Sequence, residues 1–163
     1  MSDDKKYIRV SLGQQKLCLY SGDTLLDEYK VSSAANGAGE RIDSECTPRG
    51  LHKVHEKIGN GCIPGTVFVA REPTGEIYSQ ALESAYPSRD WILTRILRLC
   101  GEEEGRNRGG DVDTLQRLIY IHGSPENVEL GVPGSHGCIR MNNNDVISLF
   151  DRVEVGTRVY IED

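Results

Sequence analysis

Tyr7-Ile8-Arg9-Val10-Ser11-Leu12-Gly13-Gln14-Gln15-Lys16-Leu17-Cys18-Leu19-Tyr20 sets the fold class. Ile8, Val10 and Leu12 alternate with polar residues, and after the turn Leu17 and Leu19 alternate again. A period of two is the signature of strands with one face buried. Gly13-Gln14-Gln15 turns the chain, Ser21-Gly22-Asp23 turns it again, and a third strand ends near Val31. Short strands joined by tight turns make an antiparallel meander.

Working outward, residues 32–46 are small, polar and glycine-bearing and read as a loop. Thr47-Pro48-Arg49-Gly50 is turn chemistry that launches a strand over 51–58. A loop over 59–65 precedes a strand over 66–70, and Pro73-Thr74-Gly75 is expected to turn a hairpin into a strand over 76–80. Residues 90–100 are apolar enough for a buried helix or a buried strand. Residues 101–110 are charged and glycine-rich and read as an exposed loop, and 118–121 as a short strand delivering His122 at its end. Asn142 to Asn144 offer N-caps to a helix carrying Val146, Leu149, Phe150 and Val153 at helical spacing, with Gly156 as its stop. A strand over 157–161 closes a mostly β chain, expected to form one domain over 1–163.

Composition narrows the function classes. The net charge is -6 and no Lys/Arg run stands out, which argues against nucleic acid and against an anionic membrane surface as partners. No apolar run of about 18 residues exists to span a bilayer. Met1-Ser2-Asp3-Asp4-Lys5-Lys6 is polar and lacks the apolar stretch of a secretory signal. The five cysteines are odd in number and scattered, which favours a reducing compartment, and a cytoplasmic location is expected.

Chemistry concentrates in Ser135-His136-Gly137-Cys138-Ile139-Arg140 and in Ile121-His122-Gly123 upstream. A thiol becomes a strong nucleophile on deprotonation, and an imidazole can take the proton near neutral pH. Glycines beside Cys138 suit backbone N–H groups aimed at a developing oxyanion. Two histidines compete as base. His136 lies two residues before Cys138 and would share its side in extended chain. His122 precedes Gly123, whose carbonyl can accept the second ring N–H and fix the tautomer. Arg140 suits a substrate carboxylate, with a surface ion pair as its plainer role. Arg106, Asn107 and Arg108 have the same two readings, solvated loop being the stronger. Cys18 and Cys100 read as small buried hydrophobes. A zinc site from His122, His136 and Cys138 lacks a fourth ligand and any CxxC pair, and His52 and His55 fall on opposite strand faces.

These residues carry a family resemblance. His122-Gly123, eleven residues, then the run from Ser135 to Arg140 resemble the signature of the L,D-transpeptidase catalytic domain, or YkuD domain. Thr47-Pro48-Arg49-Gly50 and Gly156-Thr157-Arg158-Val159-Tyr160-Ile161 also match, so the likeness runs from about Tyr7 to Ile161. The resemblance implies a β-sandwich of mixed sheets with few helices, and a strand over 91–99. It implies peptidoglycan stem peptides as substrate, attacked between the L-centre of a diamino acid and the terminal D-alanine. Cys138 takes the nucleophile's place, His122 the base's and Gly123 that of the oriented partner. Ser135, His136, Gly137 and Arg140 fall on the substrate and oxyanion side. No metal or cofactor is implied, and carbapenems are expected to acylate Cys138. Water as acceptor would make the protein an L,D-carboxypeptidase of murein recycling, which the polar amino terminus favours. A stem-peptide amine would make it a transpeptidase. A wall-peptide binding module with a degenerate site is the alternative of another class.

Overall fold

The alternating stretch forms the first hairpin of the computed structural model, which describes residues 5–163. Strands β1 (Lys6–Ser11), β2 (Lys16–Ser21) and β3 (Thr24–Lys30) form the expected antiparallel meander. Ile8, Val10, Leu17 and Leu19 are wholly buried, so the alternation is the inside–outside pattern of the sheet. Residues 1–4 of the polar amino terminus lie outside the described residues.

The chain continues through β4 (Gly50–Ile58), β5 (Thr66–Val69), β6 (Glu72–Ile77), α1 (Gln80–Ala85), β7 (Ile92–Gly101), β8 (Tyr120–Gly123), β9 (Ile139–Met141), α2 (Asn143–Arg152) and β10 (Arg158–Glu162). The hydrogen-bonded order is β3-β2-β1-β10-β4-β7-β5-β6, with β8 on β7 and β9 on β8. β1 and β10 pair in parallel, as do β8 and β9, so the sheet is mixed. Register slips between Val54 and Glu56 and between Leu93 and Ile96 bend it. The two layers of the sandwich are therefore one continuous sheet closed around a common core. Ile8, Val10, Val159 and Ile161 share that core with Leu97, Leu99, Ile121 and Ile139, and with Val146, Leu149 and Phe150 of α2, which packs on β7 and β8. The ambiguous segment 90–100 is strand: β7 is the central strand, and its residues are buried on both faces.

Asn142 caps α2 as expected, its side chain accepting from the N–H of Asn144 at 2.8 Å. Several local expectations are corrected. The β5–β6 turn is Ala70-Arg71, both at positive φ, while Pro73 lies inside β6. An edge strand tolerates a proline that cannot donate to a ladder. The strand expected over 76–80 ends at Ile77, and helix α1 starts at Gln80, where Ser79 accepts from the N–H of Leu82 as an N-cap. Leu118 takes a positive φ, so β8 begins at Tyr120 and holds His122 inside it. α2 ends at Arg152, and Gly156 instead serves the turn in which Thr157 N–H bonds Glu154. Cys18 is half-buried on the outer face beside Glu28, whereas Cys100 is buried. The 101–110 loop is anchored by a wholly buried Asn107, whose amide bonds the carbonyls of Arg49 and Leu51.

Candidate active site

The site is built on the parallel pair β8–β9, where Ile121 sits opposite Ile139 and His122 opposite Arg140. Side chains alternate along each strand. Ile121, Ile139 and Met141 enter the core, so Tyr120, His122, Cys138 and Arg140 take the opposite face. Cys138 packs there against the cluster of Phe68, Ile96 and Tyr120. A cavity of about 320 Å³ opens over this face, with His122, Ser135, His136, Cys138 and Arg140 in its wall.

His122 is buried, with Nδ1 2.6 Å from the carbonyl oxygen of Gly123. A carbonyl can only accept, so Nδ1 carries the proton and Nε2 is left with its lone pair. Burial lowers the pKa of the ring, against a smaller upward pull from the Gly123 bond, and the imidazole rests neutral. Burial also pushes the Cys138 thiol up to about 12. Its Sγ accepts from the Tyr120 N–H at 3.2 Å and donates to the Leu118 carbonyl at 3.4 Å. The resting sulfur is thus a thiol, and neither of its bonds goes to His122.

Gly123 has a packing reason to be glycine. A Cβ there would lie 2.6 Å from the Leu93 carbonyl and would strike Oδ1 of Asn143. That Oδ1 accepts from Thr94 Oγ1 at 2.6 Å, and Thr94 Oγ1 accepts from the Gly65 N–H at 3.0 Å. The bulge in β7 and the start of α2 therefore hold the peptide to which His122 is tied.

The loop before β9 is pinned from both sides. Ser135 N–H donates to the Ser33 carbonyl at 2.9 Å. Ser135 Oγ donates to the Cys138 carbonyl and accepts from the Gly137 N–H at 3.1 Å. Thr47 Oγ1 donates to the Gly137 carbonyl at 2.8 Å and accepts from the Ala34 N–H at 2.9 Å. Gly137 itself has φ +137, with a Cβ position 3.1 Å from Ile119. The chain is bent at 136–138 and not extended, so His136 shares the cavity wall with Cys138 without strand alternation. His136 is exposed at the cavity rim.

Arg140 donates to the Gly134 carbonyl at 3.0 Å and lies 3.5 Å from Asp90 Oδ1. Asp90, Arg117 and Tyr120 also line the cavity, and sequence reasoning passed over them. Arg117 donates to the carbonyls of Gly39 and Cys46 and to Ser44 Oγ, tying the 37–47 loop to the site. Contacts across 70 or more positions leave no local pattern. Arg106, Asn107 and Arg108 are not in the cavity wall; they hold their own loop through Glu103, the β4 carbonyls and Glu102. His52 is buried between the Gly50 carbonyl and Thr114 Oγ1, and His55 is exposed, so the two do fall on opposite faces.

The model of the family YkuD, the L,D-transpeptidase catalytic domain, matches residues 5–161. The chain belongs to the YkuD family. Over 49 residues it is 49% identical to "Probable L,D-transpeptidase YbiS" of Escherichia coli (strain K12), a match covering 30% of this chain and 16% of that protein. It is 53% identical over 49 residues to "Probable L,D-transpeptidase ErfK/SrfK" of Salmonella typhimurium, again 30% of this chain and 16% of the relative. These matches thus take in about a sixth of the relatives' length. Among solved structures, an L,D-transpeptidase from Mycobacterium smegmatis superposes with a TM-score of 0.57 at 15% identity, over 98% of this chain and 59% of that one. L,D-transpeptidase 3 from Mycobacterium tuberculosis, in complex with a faropenem-derived adduct, gives 0.58 at 15% identity, over 97% and 60%. At such identities the likeness is one of fold. It places this YkuD chain on a known mixed-sheet scaffold.

Proposed function

We propose that the protein is a cysteine acyl-transfer enzyme that cleaves the terminal D-alanine from peptidoglycan stem peptides, with water as the acceptor. The observation that carries this reading is the tautomer of His122: with Nδ1–H tied to the Gly123 carbonyl, Nε2 is a free base on the face that bears Cys138.

In this reading the Cys138 side chain rotates off the Leu118 carbonyl and passes its proton to Nε2 of His122. The sulfur adds to the carbonyl between the diamino acid and D-alanine. Backbone N–H groups of His136 and Cys138 receive the oxyanion, since the Gly137 N–H is engaged by Ser135. His122 returns the proton to the leaving nitrogen, the C–N bond breaks, and a thioester remains. Water, deprotonated by His122, splits the thioester and restores the thiol. Arg140 meets a substrate carboxylate. The cavity of about 320 Å³ is at the small end of ligand pockets, which supports a short peptide end as substrate.

Mass spectrometry of the protein with a sugar-free tetrapeptide, with and without an added D-amino acid, tests the proposal. Tripeptide and free D-alanine are expected, and both should vanish with Cys138→Ala. Exchanged or dimeric peptides would make it a transpeptidase. Undiminished release by Cys138→Ala would refute the nucleophile. A carbapenem adduct on Cys138, absent from the same variant, is the parallel expectation.

A further inference from the structure

The outer face of the β1–β10–β4 layer is unlike the rest of this acidic chain. Tyr7 pairs with Arg158, and Arg158 with Lys53; Arg9 pairs with Tyr160 on the next rung. Their neighbours Ile8, Val10, Val159 and Ile161 point into the core, so this set points outward. Tyr20 stacks on Tyr7 with ring centres 5.3 Å apart, and Tyr160 meets Tyr7 edge-on at 6.0 Å. Between these strands and the turn after α2 runs a groove of about 1140 Å³.

Lys5, Lys6, Arg9, Lys53, Arg152 and Arg158 line the groove, against the carboxylates of Glu102 and Glu154. Arg9, Lys53 and Arg152 are neutralised by Glu162, Glu102 and Asp27. Among the described residues, Lys5 and Arg158 join no ion pair, and Lys6 donates to the Arg152 carbonyl. Positive charge is therefore left over here, on a chain whose net charge is -6. The cluster is assembled from β1, β4, α2 and β10, which is why no basic run betrays it in sequence.

We propose that this groove binds a peptidoglycan strand, independently of the Cys138 cavity. Sugar rings lie against Tyr7 and Tyr160, and stem-peptide carboxylates meet Lys6 and Arg158. The identification of the polymer rests on the proposed function. Its chemistry rests on unneutralised cations set two residues from aromatic rings, Lys5 from Tyr7 and Arg158 from Tyr160, with Lys6 in the same groove, which fits a chain of sugars bearing carboxylates. The two cavities share no lining residue. One strand can thus be held at the groove while a stem peptide is worked on elsewhere. The net negative charge opposes a nucleic acid, whose phosphates are far denser.

The test is sedimentation of the full chain, as Cys138→Ala, with insoluble peptidoglycan sacculi. Binding at low salt is expected, falling sharply by about 0.5 M salt. Lys6→Glu with Arg158→Glu should lower the bound fraction about fivefold, and the milder Arg158→Ser should lower it measurably. In the active enzyme the same changes should leave tetrapeptide turnover within roughly twofold, because the free peptide does not reach the groove. Unaltered sedimentation of the double variant, or tighter binding to duplex DNA or to phosphatidylglycerol vesicles than to sacculi, would overturn the proposal. Sacculus binding by the unsubstituted protein, with no D-alanine released from tetrapeptide, would sink the catalytic reading and leave this one standing.

Discussion

The backbone N–H of Tyr120 points at the sulfur of Cys138, 3.2 Å away, while that sulfur donates to the carbonyl of Leu118 at 3.4 Å. The thiol is held as a neutral group between two peptides of one loop and strand. Burial, the dominant influence, pushes it up to about 12. Alkylation of Cys138 by iodoacetamide should therefore rise steadily from about pH 7 to about pH 9, with no plateau. Peptide mapping by mass spectrometry reads the rate. Fast alkylation already level near neutral pH would mean a resting thiolate–imidazolium pair instead.

His122 predicts the other limb. Burial lowers its pKa below 6.5, with the Gly123 bond pulling the other way, so the neutral base persists into mildly acidic solution. The acid limb of kcat/KM should fall below about pH 6.5. A limb at or above that value would show that the ring gains a stabilising anion in the free enzyme.

His52 should mark stability in acid. Burial lowers its pKa to about 4, from 6.5 in open chain, although the Gly50 carbonyl opposes this. Between those values the unfolded chain binds the proton that the folded chain refuses. The contribution is whole above about pH 6.5 and is lost as pH falls towards 4, about 3 kcal/mol across the window. Urea midpoints measured across that range should slope less steeply in His52→Gln. An equal slope would remove His52 as the cause.

Thr94 sits at φ +75, a β-branched residue in the left-handed region, and its hydroxyl joins Gly65 to Asn143. Thr94→Val keeps the strain and removes the hydroxyl, leaving a half-buried N–H and an amide oxygen without that partner. It should cost about 2–3 kcal/mol in urea denaturation and lower kcat, because Asn143 packs on Gly123. Thr94→Ser keeps the hydroxyl and should cost under about 1 kcal/mol. Equal losses in both would make the methyl group, and not the hydrogen bonds, the important part.

Much of the site was legible before any fold. Cys138 and two candidate bases stand out by residue type, the family resemblance singles out His122, and the His122–Gly123 bond joins consecutive residues. The role of Thr47 was visible only as part of a pattern. Its physical content, a hydroxyl holding the Gly137 carbonyl across 90 positions, needed the fold. The misplaced turn at Pro73 and the missed helix α1 were local errors. Paired positive φ at Ala70 and Arg71 has no composition signal, and a helix of six residues shows too few turns for periodicity.

Sequence alone determined the alternating strands, the Asn142 cap, the apolar stripe of α2 and the chemical groups of the motif, because each depends on residues within a turn or a strand of one another. Tertiary structure decided the rest. It chose strand over helix for β7 by burying both faces, and bent the motif at Gly137 so that His136 lies at the rim. It put Asp90 and Arg117 beside the thiol. It set the sulfur's resting state through burial, and gathered Lys6, Arg9 and Arg158 by laying β1 beside β10. Those outcomes follow from desolvation and from pairing between distant segments, and neither is written in any short stretch of chain.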